Sequence, residues 1–168
     1  PITIDPTVSV STSSITDLDL SSASPDRSSP SDTTMYVSST WRSYWKTSSL
    51  PTLPTSAYIS SAYISLYSTS STTNYVGVFQ VSSSWDSALT WNQTIADTSP
   101  KGVLSSTLLD YNYIDGSSTD KRYSFDITSL VKSWYAGTAS NYGVGFRIVD
   151  DTTPSGIASF ATNDSTTV

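Results

Sequence analysis

All 14 acidic residues of this 168-residue chain are aspartates, and serine plus threonine fill 63 of its positions. That bias works against helices. Glutamate, lysine and leucine lose little freedom in a helix, whereas serine and aspartate compete there for backbone hydrogen bonds and threonine loses rotamers. Few windows place apolar residues at i, i+3, i+4 and i+7. Period-2 alternation recurs instead, in Thr7-Val8-Ser9-Val10-Ser11 and Asp17-Leu18-Asp19-Leu20, and Met35-Tyr36-Val37 and Trp41 to Thr47 are the next two candidate strands. Between them, residues 21–32 are rich in Ser, Pro and Asp and read as a loop. Pro51 and Pro54 mark a linking turn, after which Ile59, Ala62, Ile64 and Leu66 are expected in the core with Tyr63, Ser65 and Tyr67 pointing the other way. Asn74 to Val81, Val144 to Ile148 and Ile157 to Thr162 are further strands.

One stretch breaks the alternation. From Asp126 to Tyr135, Leu130, Val131 and Trp134 sit at helical spacing, with Thr128 or Ser129 as the expected N-cap and Gly137 as the stop. Residues 1–168 therefore read as a single all-β module, an antiparallel β-sandwich of jelly-roll type with about nine strands and one short helix near 128–135 that lids the core. A chain of this length buries about 68–70% of its unfolded surface, so the core needs no staple.

Composition also excludes chemistry. Histidine and cysteine are both absent, which removes the commonest general base at neutral pH, the usual zinc ligand, and the Ser-His-Asp and Cys-His mechanisms. Eight cations spread thinly against a net charge of -6 leave no basic footprint for nucleic acid. No run approaches about 18 consecutive apolar residues, so no membrane span is expected. No charged-then-apolar start precedes Pro1-Ile2-Thr3-Ile4, which suggests a module excised from a larger secreted protein. The polar, weakly charged, cysteine-free composition points to an extracellular or surface location. Two Asn-X-Ser/Thr triplets, at Asn92 and Asn163, are read as accidental in so hydroxyl-rich a chain.

A series of motifs runs through the chain: Ile59-Ser60-Ser61-Ala62-Tyr63-Ile64-Ser65-Leu66-Tyr67, then Ser82-Ser83-Ser84-Trp85-Asp86 leading to Thr90-Trp91-Asn92, then Phe125-Asp126-Ile127-Thr128-Ser129-Leu130-Val131-Lys132-Ser133-Trp134, and finally Asn141-Tyr142-Gly143. Together they resemble the DNRLRE domain family of large secreted bacterial and archaeal proteins, including wall-associated RHS-repeat and disaggregatase-related proteins. The resemblance implies a β-sandwich and, since part of that family is classed as carbohydrate-binding with alginate as a ligand, a polysaccharide partner. Where the family has Phe-Asp after its Lys, this chain has Thr47-Ser48 after Lys46. Read physically, Trp85, Trp91, Phe125 and Trp134 are core plugs, with Asp126 placed to cap the helix.

Functional residues are then sought on outward faces. Period 2 places Arg42, Tyr44 and Lys46 on one face of their strand opposite Trp45, Tyr63 and Tyr67 on one face of theirs, and Arg147 opposite Phe146 and Ile148. If those strands are neighbours, the set forms a shallow platform on which rings stack against sugar C–H faces and cations reach hydroxyls or uronic carboxylates. The plain alternative is a solvated sheet face. The aspartates Asp115, Asp120, Asp150 and Asp151 lie in Gly/Ser/Thr loops and read as turn residues first, calcium ligands second and catalytic acids third. Their spacing does not match an EF-hand loop. The expected function is a non-catalytic carbohydrate-binding module that requires no cofactor, with calcium the one candidate metal. The competing reading is a structural or adhesive module that packs against neighbouring domains of its parent protein.

Overall fold

In the computed structural model, which describes residues 7–55, 57–95, 100–116, 121–149 and 156–162, the alternating stretches pair into two antiparallel sheets. The four-stranded sheet runs β2 (Thr34–Val37), β9 (Ala158–Ala161), β4 (Tyr63–Ser71), β7 (Arg122–Asp126). The five-stranded sheet runs β1 (Ile15–Ser21), β3 (Trp41–Thr47), β8 (Val144–Ile148), β5 (Asn74–Val81), β6 (Leu104–Ile114). Strands β2 to β9 follow the jelly-roll order, 2-9-4-7 facing 3-8-5-6, and β1 is added beside β3.

The main core lies between the sheets. Ile64, Leu66, Phe125 and Phe160 of one sheet meet Val76, Val78, Val144, Phe146 and Ile148 of the other, with Phe125 edge-on to Phe146 at 5.3 Å. Helix α2 (Thr128–Tyr135) closes one end, burying Leu130 and Trp134, and Gly137 follows it in the left-handed region at φ 69°. Its start differs from expectation. Ile127 occupies the N-cap, and Asp126 Oδ1 accepts the Thr128 N–H at 2.7 Å from one residue further back. The Thr128 hydroxyl also accepts from the N–H of Ala62, the residue before β4, at 2.8 Å.

Three other local expectations change. Thr7 to Ser11 is not a strand. Val8 is half exposed, so its alternation has no core to face, and the chain passes into a 3-10 turn at Thr12–Ser14. Trp91, expected as a core plug, begins a five-residue helix, α1 (Trp91–Ile95), and is only partly buried where Trp85, Phe125 and Trp134 are buried. The eleven-residue β6, the longest strand among the described residues, lies where no strand is expected from the sequence.

A second apolar cluster sits outside the sandwich. Leu18 and Leu20 of β1, Tyr44 of β3 and Val81 of β5 are covered by Trp85 and Leu89 from the β5–β6 connection, with Trp91 and Tyr142 at its margin. Strand β1 is consequently buried on both faces: Leu18 and Leu20 face the connection, and Asp17 and Asp19 face the other sheet. The motif segments stitch this cover down. The Trp85 indole donates to the Tyr142 carbonyl at 2.6 Å, Val81 N–H donates to the Gly143 carbonyl at 3.2 Å, and Asn92 reaches Asp26 at 2.7 Å.

Candidate functional site

Directly paired residues in an antiparallel sheet point the same way, and neighbouring strands lie about 4.8 Å apart, so the register maps the outer face of the five-stranded sheet row by row. One row carries Leu18, Tyr44, Gly145 and Phe79. The next carries Leu20 with Arg42, then Arg147, Gly77 and Tyr111. Beyond it, Tyr75 of β5 is paired with Tyr113 of β6.

The β5–β6 connection divides this face in two. On the covered half, Tyr44 is fully buried, edge-on to Trp85 at 5.6 Å, and burial raises its phenol pKa against the opposing charges of Arg42 and Arg147. Tyr44 is thus a core residue and not the exposed ring expected of it, because the face that period 2 assigned to it carries a second layer. Lys46 lies across the Trp85 ring at 4.3 Å and donates to the Trp85 carbonyl. Burial lowers its pKa, and Asp86 opposes that shift. The Arg42 guanidinium stacks on Trp91 at 4.4 Å. Both cations brace the cover.

The open half carries an aromatic cluster that is not part of the expected platform. Tyr75, Tyr111 and Tyr113 are each about half exposed, with Tyr75 5.0 Å from Tyr113 and 6.2 Å from Tyr111, ring centre to ring centre, and their planes tilted by 55° and 53°. Gly77, buried beside Tyr111, is covered by Leu108, Phe79 and Val149: a Cβ there would come within 2.6 Å of Leu108. Arg147, stacked on Phe79 at 4.1 Å, borders this apolar floor and joins Arg42, Thr94, Ser105 and Ser106 around a cleft of about 230 Å³. Arg147 and Tyr111 thus lie two strands apart in one row, with Gly77 between them.

Tyr63 and Tyr67 belong elsewhere. They project from the outer face of the four-stranded sheet, Tyr63 exposed and paired with Asp126, Tyr67 half-buried and paired with Arg122, while Ser65 bonds Ser124 at 2.8 Å between them. The six residues expected to share one platform are split across the two sides of the sandwich, since β3 and β8 lie in one sheet and β4 in the other. Of the loop aspartates, Asp115 is described, with its backbone N–H donating to the Tyr123 hydroxyl at 3.2 Å, whereas Asp120, Asp150 and Asp151 lie outside the described residues. Among the described residues no three His, Cys, Asp or Glu side chains converge as metal ligands, and no helix is long and apolar enough to cross a membrane.

Tyr111 and Tyr113 do leave a signal. In Tyr111-Asn112-Tyr113-Ile114 the two rings fall on one face by period 2, and aromatic residues on the outward face of a strand are the feature a binding surface needs. In comparison with known proteins, the chain matches no family model and no curated protein.

Proposed function

We propose that this chain is a non-catalytic, extracellular carbohydrate-binding module whose ligand lies across the open half of the five-stranded sheet, on Tyr75, Tyr111 and Tyr113, with Arg147 at the border. The observation that carries this reading is the tyrosine cluster itself: three half-exposed rings held together on a rigid sheet face. Large exposed apolar side chains gathered in one patch mark interaction sites, whereas the same residues scattered singly need no explanation. Pyranose rings present C–H faces to such aromatics, and the phenol hydroxyls and the guanidinium supply hydrogen bonds to hydroxyl or carboxylate groups. The motif resemblance to DNRLRE modules supports the same class of partner. Arg42, Tyr44 and Lys46 have a structural role in this proposal, holding down the cover beside the site.

Affinity electrophoresis through gels containing alginate, pectate, xylan or soluble cellulose derivatives tests it. Retardation by one polymer that is lost in Tyr111→Ala and Tyr113→Ala, and kept in Tyr63→Ala, is the expected result. Unretarded migration on every polymer overturns it. The second reading is a structural or adhesive module, in which the same patch of Tyr75, Tyr111 and Tyr113 docks against a neighbouring domain of the parent protein. Retardation lost in Tyr63→Ala instead would move the site to the four-stranded sheet.

A further inference from the structure

Strand β2 is an edge strand. Its inner side pairs with β9, Tyr36 opposite Ser159, and the Tyr36 N–H and C=O point away from that ladder. An unpaired edge must be capped. Here the cap is made by two side chains of the other sheet, Asp19 of β1 and Ser43 of β3, which are paired across their own ladder and both face inward. The Tyr36 N–H donates to Asp19 Oδ2 at 3.1 Å. The Ser43 hydroxyl oxygen stands 2.6 Å from Asp19 Oδ1 and 2.8 Å from the Tyr36 carbonyl oxygen.

Counting protons in this ring favours the neutral acid. A serine hydroxyl has one proton and cannot donate to both Asp19 and Tyr36. With Asp19 ionised, three acceptors share two donors, and either the carboxylate or the carbonyl faces a lone pair. With Asp19 protonated on Oδ1, the ring closes: Tyr36 N–H donates to Oδ2, the carboxylic acid donates to Ser43, and Ser43 donates to the Tyr36 carbonyl.

We infer that Asp19 is carried as a neutral carboxylic acid that latches β2 to the five-stranded sheet, and that its ionisation releases this latch, making the contact between the sheets sensitive to pH. This inference is independent of the carbohydrate reading. Asp17 on the same strand and Asp32 on the β1–β2 connection add negative charge beside Asp19, and Arg27 joins Asp19 and Asp32 around a cavity of about 90 Å³. Strands β2 and β3 bring Tyr36, Ser43 and Trp41 to this region, and the connection crosses Asp19 through a backbone bridge at Ser29. Burial pushes the Asp19 carboxyl up to about 7, against the hydrogen bonds from Ser43 and Tyr36 and with Asp32 and Asp17 adding to the rise. The unfolded chain, at 3.8, gives up its proton first. Stability therefore falls as pH rises between the two values and levels off above the upper one.

Asp19→Asn separates the latch from the titration. Its amide donates to Ser43 and its carbonyl accepts from the Tyr36 N–H, keeping the ring without an ionisable group. Two measurements are needed: carbon NMR titration of the Asp19 carboxyl, and urea unfolding of both proteins from pH 5 to pH 8. The expected results are a carboxyl that titrates near neutrality and a wild-type folding constant that falls about a hundredfold relative to Asp19→Asn over that range. Exchange of the Tyr36 amide, corrected for its intrinsic pH dependence, should quicken with the titration. A carboxyl that titrates below pH 5, or two proteins whose stabilities run parallel, overturns the inference. The NMR titration decides even if Asp19→Asn does not fold.

Discussion

Replacing Trp85 with alanine asks whether the β5–β6 connection is bonded to the sheet as a second layer or merely rests on it. The indole is 5% exposed, meets Tyr44 edge-on at 5.6 Å, lies under the Lys46 ammonium at 4.3 Å and donates to the Tyr142 carbonyl at 2.6 Å. Truncating a buried tryptophan costs about 3–5 kcal/mol through lost burial and the cavity left behind. The Tyr142 carbonyl and Lys46 lose partners as well, which places the expected loss near the top of that range, about 4–5 kcal/mol. Against a total stability of about 5–15 kcal/mol, such a loss is large. At about 2–4 °C per kcal/mol for a chain of this size, the melting midpoint should drop by at least about 8 °C. Urea unfolding followed by far-ultraviolet circular dichroism is the suitable assay, because the substitution removes a fluorophore. Ile95→Ala, at an exposed site on α1, should stay within about 0.5 kcal/mol of wild type. A loss below about 1 kcal/mol for Trp85→Ala would refute the second core. The covered face, with Arg42, Tyr44 and Lys46, would then become available to ligands.

Two glycines with the same backbone sign separate conformation from crowding. Gly137 (φ 69°) has nothing within 4 Å of where a Cβ would sit, so Gly137→Ala should cost only the left-handed conformation, about 1–2 kcal/mol, whereas a Cβ on Gly143 (φ 81°) overlaps the Trp45 carbonyl oxygen and Gly143→Ala should cost at least about 2 kcal/mol more in thermal unfolding. At the start of α2, the Thr128 hydroxyl and N–H hold the Asp126 carboxyl below its usual range, with Lys132 adding a smaller pull. Asp126→Ala should lower stability by about 0.5–1 kcal/mol near neutral pH. That difference is fully present above the unfolded value of 3.8 and disappears as pH falls through the depressed folded value, the opposite sense to Asp19. Acid titration of both variants by circular dichroism checks the two signs.

Strand β8 is legible in the sequence because Val144, Phe146 and Ile148 alternate with Gly145 and Arg147, β3 and β5 because they are rich in aromatic and β-branched residues, and α2 because Leu130 and Trp134 fall one turn apart before a glycine. What period 2 cannot reveal is whether a face assigned to solvent carries another layer. Asp17-Leu18-Asp19-Leu20 shows this: the leucines face outward beneath the connection, and the aspartates face the other sheet, where Asp19 caps a neighbouring edge. Tyr44 is assigned to solvent for the same reason. Strand β6 stays hidden because its exposed positions include two tyrosines and its neighbours on the inner side include Asn112, so the hydrophobic pattern runs against the burial pattern. The exposed tyrosines, once placed beside Tyr75 by the register, depend on a pairing between strands whose partners are dozens of residues apart, which no local window contains.

The strand order also sets a timetable. β9 is threaded between β2 and β4, so Met35 meets Phe160 only after almost the whole described chain has been made. Pairings this distant in sequence form slowly, because their loop entropy must be lost before the contacts return it. During synthesis β2 and β4 wait as open edges, with Ile64 and Leu66 uncovered on one side, and such half-built sheets are prone to pair with the wrong chain. At this closure four residues of β9, Ala158–Ala161, meet both Thr34–Val37 of β2 and the Ser68 to Ser71 end of β4. Until β9 docks, both edges stay open, and β9 acts as the bolt that ends that exposure.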